Sequence, residues 1–280
     1  IRLRKTNLGN RIRDINSCVF MHMDRRQFVK NLGLGTASLS MGSLVTASSC
    51  APSGDSSLKQ NVKEGEDGQF LFIGDDIAIA QTEYGKVQGY LLNHVYTFLG
   101  VPYGADTSGK NRFMPPQKPE PWTDVRPAVF YGNTAPQRME NRWPNNYGTF
   151  ADHWNYWDVS EDCLYLNVWT PGIADGKKRP VLVWLHGGGF TNGSGIEQDG
   201  YHGENISREG NIVFCSINHR LGPIGFSDLS GVGGEAYKDS GNVGMLDIIA
   251  ALRWVHDNIA NFGGDPGNVT VMGQSGGGSK

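Results

Sequence analysis

Cysteine is scarce and scattered in this chain. Its 280 residues hold 4, Cys18, Cys50, Cys163 and Cys215, too few for a disulfide scaffold and without the C-x-x-C spacing of a metal site. A charge excess of one sign is also lacking. The formal net charge is −3, and no Lys/Arg-rich helix or aromatic-basic interleaving marks a nucleic-acid surface. No apolar run approaches the roughly 20 residues that a membrane span needs. Gly104 to Asn111 approaches a phosphate-binding loop but fails: Asn111 replaces the hydroxyl residue that would hold Mg²⁺, and Arg112-Phe-Met-Pro-Pro116 cannot open the required helix. No cofactor or metal is therefore expected. What is present, 38% hydrophobic and 19% charged residues, suffices for the core of one large α/β domain or two smaller ones. Cys215 lies inside an apolar run and reads as a small buried hydrophobe.

The chain divides into four stretches. Residues 1–22 are basic and patternless; a start at Met21 or Met23 would make them a spurious upstream extension. Residues 23–50 open on Asp24-Arg-Arg-Gln-Phe-Val-Lys30, the pattern of a twin-arginine export signal, followed by a mildly apolar region from Leu32 to Val45. That region ends in Ala47-Ser-Ser-Cys50, which has the form of a lipobox with Cys50 as the lipidated residue; ordinary signal cleavage near Ala47 is the competing reading. The expected location is the periplasm or cell envelope, with association by lipid anchor and not by span. Residues 51–75 have the Ser, Gly, Lys and Glu content of a flexible tether, and 76–280 carry the folded part.

Ile77 to Thr82 and Lys86 to Tyr90 flank Glu83-Tyr-Gly85 as a hairpin, and Val95 to Val101 forms the next strand. Aromatic residues crowd from Trp143 to Trp157, either as a wall beside a pocket or as loop anchors. From Leu164 to Trp169 apolar and polar residues alternate, as in a half-buried strand. Val181 to Leu185, Ile212 to Ile217 and Val269 to Met272 are instead near-continuous apolar runs, the signature of parallel strands covered on both faces. Between the last two, Met245, Ile248, Leu252, Val255, Ile259 and Phe262 recur at helical steps, and Gly263-Gly-Asp-Pro266 stops the helix and turns the chain.

Strand, crossover helix and strand then deliver Gly273-Gln-Ser275-Gly-Gly277, a G-x-S-x-G nucleophile elbow. With 39 glycines in the chain, that pattern alone is weak. A second motif supports it: strand Val181 to Leu185 runs directly into His186-Gly-Gly-Gly-Phe190. A serine hydroxyl is a poor nucleophile at neutral pH and needs both a base and donors for the oxyanion formed on attack. An H-G-G-G stretch after a strand supplies such donors as backbone N–H groups, and glycine leaves room for the substrate oxygen.

Taken in order with Phe98-Leu-Gly-Val-Pro-Tyr103, Glu161-Asp-Cys-Leu-Tyr-Leu-Asn-Val168, Asn218-His-Arg-Leu-Gly-Pro223, Gly241-Asn-Val-Gly-Met-Leu-Asp247, Ala251-Leu-Arg-Trp254 and Phe262-Gly-Gly-Asp-Pro266, these motifs make residues 76–280 resemble the type-B carboxylesterase/lipase family, which includes the cholinesterases. The resemblance implies an α/β-hydrolase fold, with a mostly parallel central sheet and an N-terminal antiparallel hairpin. It also implies Ser275 as nucleophile, Gly188, Gly189 and Gly276 as oxyanion donors, and an acyl-enzyme route on a small-molecule or carbohydrate-linked ester. Gln274 stands where the family usually carries Glu, His219 where it usually carries Tyr, and Cys163 is expected to be a free thiol. In this family the acidic and histidine triad members follow the serine, so they are expected beyond Lys280, and the chain by itself is expected to be inactive or to aggregate through an uncovered sheet edge. His94, His153, His202, His219 and His256 are poor substitutes for the base, His186 reads as an organiser of its loop, and Asp247 and Asp265 read as caps or loop organisers. The alternative is a non-catalytic adhesion or binding protein on the same scaffold, against which the intact Ser275 speaks.

Overall fold

The computed structural model describes residues 70–138 and 158–280. The export-signal pattern, Cys50, His153 and the aromatic residues from Trp143 to Trp157 lie outside them. Among the described residues ten strands appear in order: β1 (Leu71–Phe72), β2 (Ile79–Thr82), β3 (Gly85–Gln88), β4 (Tyr90–Leu92), β5 (Val95–Pro102), β6 (Arg126–Pro127), β7 (Tyr165–Thr170), β8 (Arg179–Leu185), β9 (Val213–Ile217) and β10 (Gly264–Gly273). The helices are α1 (Glu204–Gly210), α2 (Gly222–Phe226), α3 (Ser230–Gly233), α4 (Val243–Asn258) and α5 (Gly276–Ser279), with short 3-10 turns between them. No helix among the described residues is long and apolar enough to cross a membrane.

Seven strands form one sheet in the order β1-β4-β5-β7-β9-β8-β10. Its β9-β8-β10 part is parallel, and β1, β4, β5 and β7 extend it in antiparallel fashion. The hairpin expected around Glu83-Tyr-Gly85 is present as β2 and β3, in register from Ile79↔Gln88 to Thr82↔Gly85. It belongs to a separate three-stranded sheet with β6. A second hairpin, β4 to β5, turns through Asn93 and His94, at φ 49° and 64°. Two consecutive left-handed residues match the right-handed twist of the flanking strands.

Alternation along the strands builds a core on each side of the sheet. Val181, Val183 and Leu185 of β8 join Val213, Cys215 and Ile217 of β9 on one face, where Ile248, Ala251, Val255 and Ile259 from α4 and the turn after it cover them. Fully burying each of the Val, Leu and Ile side chains contributes about 1.5–3 kcal/mol. Leu182 and Trp184 point the other way, to Val95, Leu99, Trp169 and Phe214. The helix ends earlier than its apolar steps, at Asn258, and a 3-10 turn, Ile259–Phe262, carries the chain to Gly263 at φ 76°.

Two strands differ from their sequence patterns. β7 is almost wholly buried rather than half-buried, because it lies between β5 and β9. Its polar Asn167 is satisfied there, accepting from Gly100 N–H at 2.9 Å and donating to Ser216 Oγ at 3.1 Å. β10 is less covered than its apolar run suggests. Among the described strands it is the last in the sheet, with Val271 and Met272 47% and 52% exposed, the uncovered apolar edge expected for a chain ending at Lys280. It also begins earlier than expected, since Gly264 already pairs with Arg179 before a register shift and regular pairing from Val269.

Candidate active site

Parallel pairing of β8 with β10 aligns Leu185 with Gly273, so the glycine loop and the elbow leave the same end of the sheet side by side. Gln274 N–H still donates to Leu185 O at 3.3 Å, and Gly277 and Gly278 N–H donate back to Gln274 O and Ser275 O at 2.9 Å, starting α5. Ser275 is left at the apex of this turn, exposed, at φ 53° and ψ −119°. A non-glycine residue in this region stores on the order of 1–3 kcal/mol and persists only where its surroundings hold it. The surroundings are tight: a Cβ on Gly276 would lie 2.5 Å from Gly189 N and 2.6 Å from Gly189 O.

Gly188 and Gly189 take φ 84° and 64°, a left-handed pair that glycine adopts without strain. The Gly188 carbonyl is turned away into the next turn, accepting from Thr191 and Asn192 N–H at 3.3 and 3.2 Å. Among the described residues, no acceptor takes the N–H of Gly188, Gly189 or Gly276. The structure thus brings together all four residues expected from the motifs, Ser275, Gly188, Gly189 and Gly276.

The expected organisers hold this loop from behind. His186 is fully buried, with Nδ1 2.8 Å from Gly187 O, and its ring stacks on that of His219 at 4.9 Å and 10°. Burial, reinforced by the neighbouring His186 and Lys280, holds His219 well below the ordinary histidine value. Asp247 forms a buried two-pronged pair with Arg220, at 2.6 and 2.8 Å, and also accepts from the Arg220 N–H at 3.0 Å. Asp265 accepts from Gly267 N–H at 2.9 Å. Neither aspartate points to catalysis. Among the described residues no histidine is hydrogen-bonded to Ser275: His94 sits in the β4–β5 turn, His202 packs on Trp169, and exposed His256 meets Asp257.

Cys163 is free and fully buried, as is Cys215. The near phosphate-loop is a turn in which Asp106 Oδ1 accepts from Ser108 N–H at 2.8 Å ahead of a 3-10 turn, Gly109–Asn111. Two features were not legible in the motifs. Gln137 clamps Gly193, accepting from its N–H at 2.8 Å and donating to its carbonyl at 2.9 Å. Lys280, after α5, places Nζ 3.1 Å from His219 Nε2. A single Gln or Lys in a loop carries no pattern.

Comparison with known proteins gives the family of residues 76–280. The carboxylesterase family's sequence profile matches residues 76–280. The chain is 44% identical to the para-nitrobenzyl esterase of Bacillus subtilis over 203 residues, 71% of this chain and 38% of that protein. It is 45% identical to the phenmedipham hydrolase of Pseudarthrobacter oxydans over 199 residues, with the same shares. Among solved structures, an esterase from anaerobic Clostridium hathewayi that can hydrolyze aliphatic aromatic polyesters superposes with a TM-score of 0.69 at 43% identity, covering 75% of this chain and 40% of that one. The chain therefore spans about two fifths of the length of these relatives. The chain belongs to the carboxylesterase family.

Proposed function

We propose that the protein is a serine carboxylic-ester hydrolase working through an acyl-enzyme on Ser275. One observation carries the reading: Ser275 is held at a strained φ of 53° beside three backbone N–H groups with no protein acceptor among the described residues. In the proposed cycle Ser275 Oγ attacks the ester carbonyl carbon and gives its proton to a base. The N–H groups of Gly188, Gly189 and Gly276 stabilise the oxyanion, the alcohol leaves with that proton, and water then releases the acid by the same steps in reverse roles. The base and its acidic partner are assigned, by the family's chain order, to positions after the serine and beyond Lys280. The esterase relatives support a small-molecule ester as substrate. The sequence pattern of residues 23–50 supports export to the cell envelope.

The test uses the full-length gene product. Ser275→Ala should abolish both nitrophenyl ester hydrolysis and covalent labelling by a fluorophosphonate. Wild-type turnover in that variant would remove Ser275 as nucleophile.

A further inference from the structure

The far side of the glycine loop is held by a side chain from the stretch between β6 and β7. Gln137 Oε1 accepts from Gly193 N–H at 2.8 Å, while its Nε2 donates to Gly193 O at 2.9 Å and to Ala135 O at 3.1 Å. One amide thus grips both backbone groups of a single residue, fixing its orientation as well as its place. The grip has a firm base. Thr134 N–H donates to Asp158 O at 2.8 Å, and Ser160 N–H donates to Thr134 O at 3.0 Å. Gly193 is pressed against the loop it helps to hold: at φ 110° a Cβ there would run into His186 Nδ1 and stand 2.5 Å from Gly187 O. Asn192 directly precedes it, and its N–H donates to Gly188 O at 3.2 Å, with Thr191 N–H on the same oxygen at 3.3 Å. Across a trans peptide unit the carbonyl oxygen and the next N–H point in opposite directions, and the described residues contain no cis bond. Aiming Gly188 O at Asn192 therefore turns the Gly189 N–H out of the loop, where no protein acceptor among the described residues meets it.

We propose that Gln137 is a positioning residue for ester hydrolysis: through Gly193 and Asn192 it fixes the direction of the Gly189 N–H that meets the oxyanion. The proposal rests on the assignment of Ser275 and the glycine donors above. Gln137 itself touches no reacting atom. Its loss leaves the fold standing, because a second amide ties the same two stretches together: Asn218 Oδ1 accepts from Gly195 N–H at 2.8 Å and its Nδ2 donates to Asn133 O at 3.0 Å. What changes is the freedom of the Gly188–Gly189 peptide. Removing an oxyanion donor outright costs about 10²–10³ in kcat, so a donor that remains but is no longer aimed should cost about tenfold.

The experiment compares full-length wild type, Gln137→Met and Gln137→Glu at neutral pH with a nitrophenyl ester, and counts active serines by fluorophosphonate labelling taken to completion. Met keeps the length without the amide. Glu keeps the acceptor for Gly193 N–H but sets a carboxylate oxygen against the Gly193 and Ala135 carbonyls. Each variant should lower kcat per labelled serine about tenfold with KM within about twofold, and should weaken inhibition by a trifluoromethyl ketone, whose adduct with serine carries an oxyanion, by a similar factor. Fewer labelled serines, each turning over at the wild-type rate, would mean that Gln137 only supports the fold and would overturn the proposal. A raised KM at unchanged kcat would overturn it as well. If the Met variant does not fold, the Glu variant decides alone, and a kcat per labelled serine within about threefold of wild type overturns the proposal. Wild type that takes no label instead removes Ser275 as nucleophile, the reading on which the proposal rests.

Discussion

Replacing Gly277 with alanine tests the geometry that joins the two halves of the site. Gly277 is buried against the end of β8, where a Cβ would stand 2.6 Å from His186 O and closer still to Leu185 O. Ordinary contact needs about 3.5 Å, so α5 and β8 would have to part by about 1 Å. Ser275 lies two residues before Gly277, and Gly188 follows His186 by two, so most of that displacement falls between the nucleophile and its donors. A misplacement of about 1 Å at a reacting centre costs on the order of 10²-fold in rate, equivalent to about 2.7 kcal/mol of barrier. The fold loses about 1–3 kcal/mol from overpacking, a tolerable part of a typical 5–15 kcal/mol. In the full-length protein, kcat/KM for a nitrophenyl ester and the rate of phosphonate inactivation should both drop about 100-fold, with an unchanged circular-dichroism spectrum. Rates within about threefold of wild type would show that β8 and α5 separate without disturbing the site, and the reasoning would fail.

Two further perturbations probe the supports. Asp247→Asn leaves the Arg220 guanidinium buried without its countercharge and should cost about 3–5 kcal/mol, read from the shift in a urea unfolding curve; a loss under about 1 kcal/mol would show that the pair adds little. Burial raises the Cys163 thiol well above its ordinary range and pushes Cys215 up as well, so iodoacetamide should modify neither in the native protein and both in denaturant. Peptide mass spectrometry checks this, and rapid native labelling of Cys163 would contradict its placement.

The parts of the fold that were legible are those where pattern and environment coincide. β8 and β9 are apolar on both faces because they are covered on both faces, and the apolar steps of α4 and of the 3-10 turn after it end where Gly263 turns left-handed. The motif residues of the site were legible because a strained serine and close-packed glycines leave a compact signature. The β4–β5 turn was not, since Asn93-His94 lacks the glycine that usually announces two left-handed residues. Nor was the burial of β7, where polar Asn167 imitates an outward-facing position while being satisfied inside. The His186–His219 stack and the reach of Lys280 join residues far apart in the chain, and local patterning is silent about such contacts.

The pairing of β8 with β10 has a kinetic side as well. It joins Val181 to Val269 across the whole of β9 and α4, a long loop whose closure entropy is met only after nearer contacts have formed. The glycine loop and Ser275 face each other only while β8 and β10 are paired. Reactivity at Ser275 in the full-length protein would then report that this long-range pairing has formed, and would fade as denaturant separates the two strands.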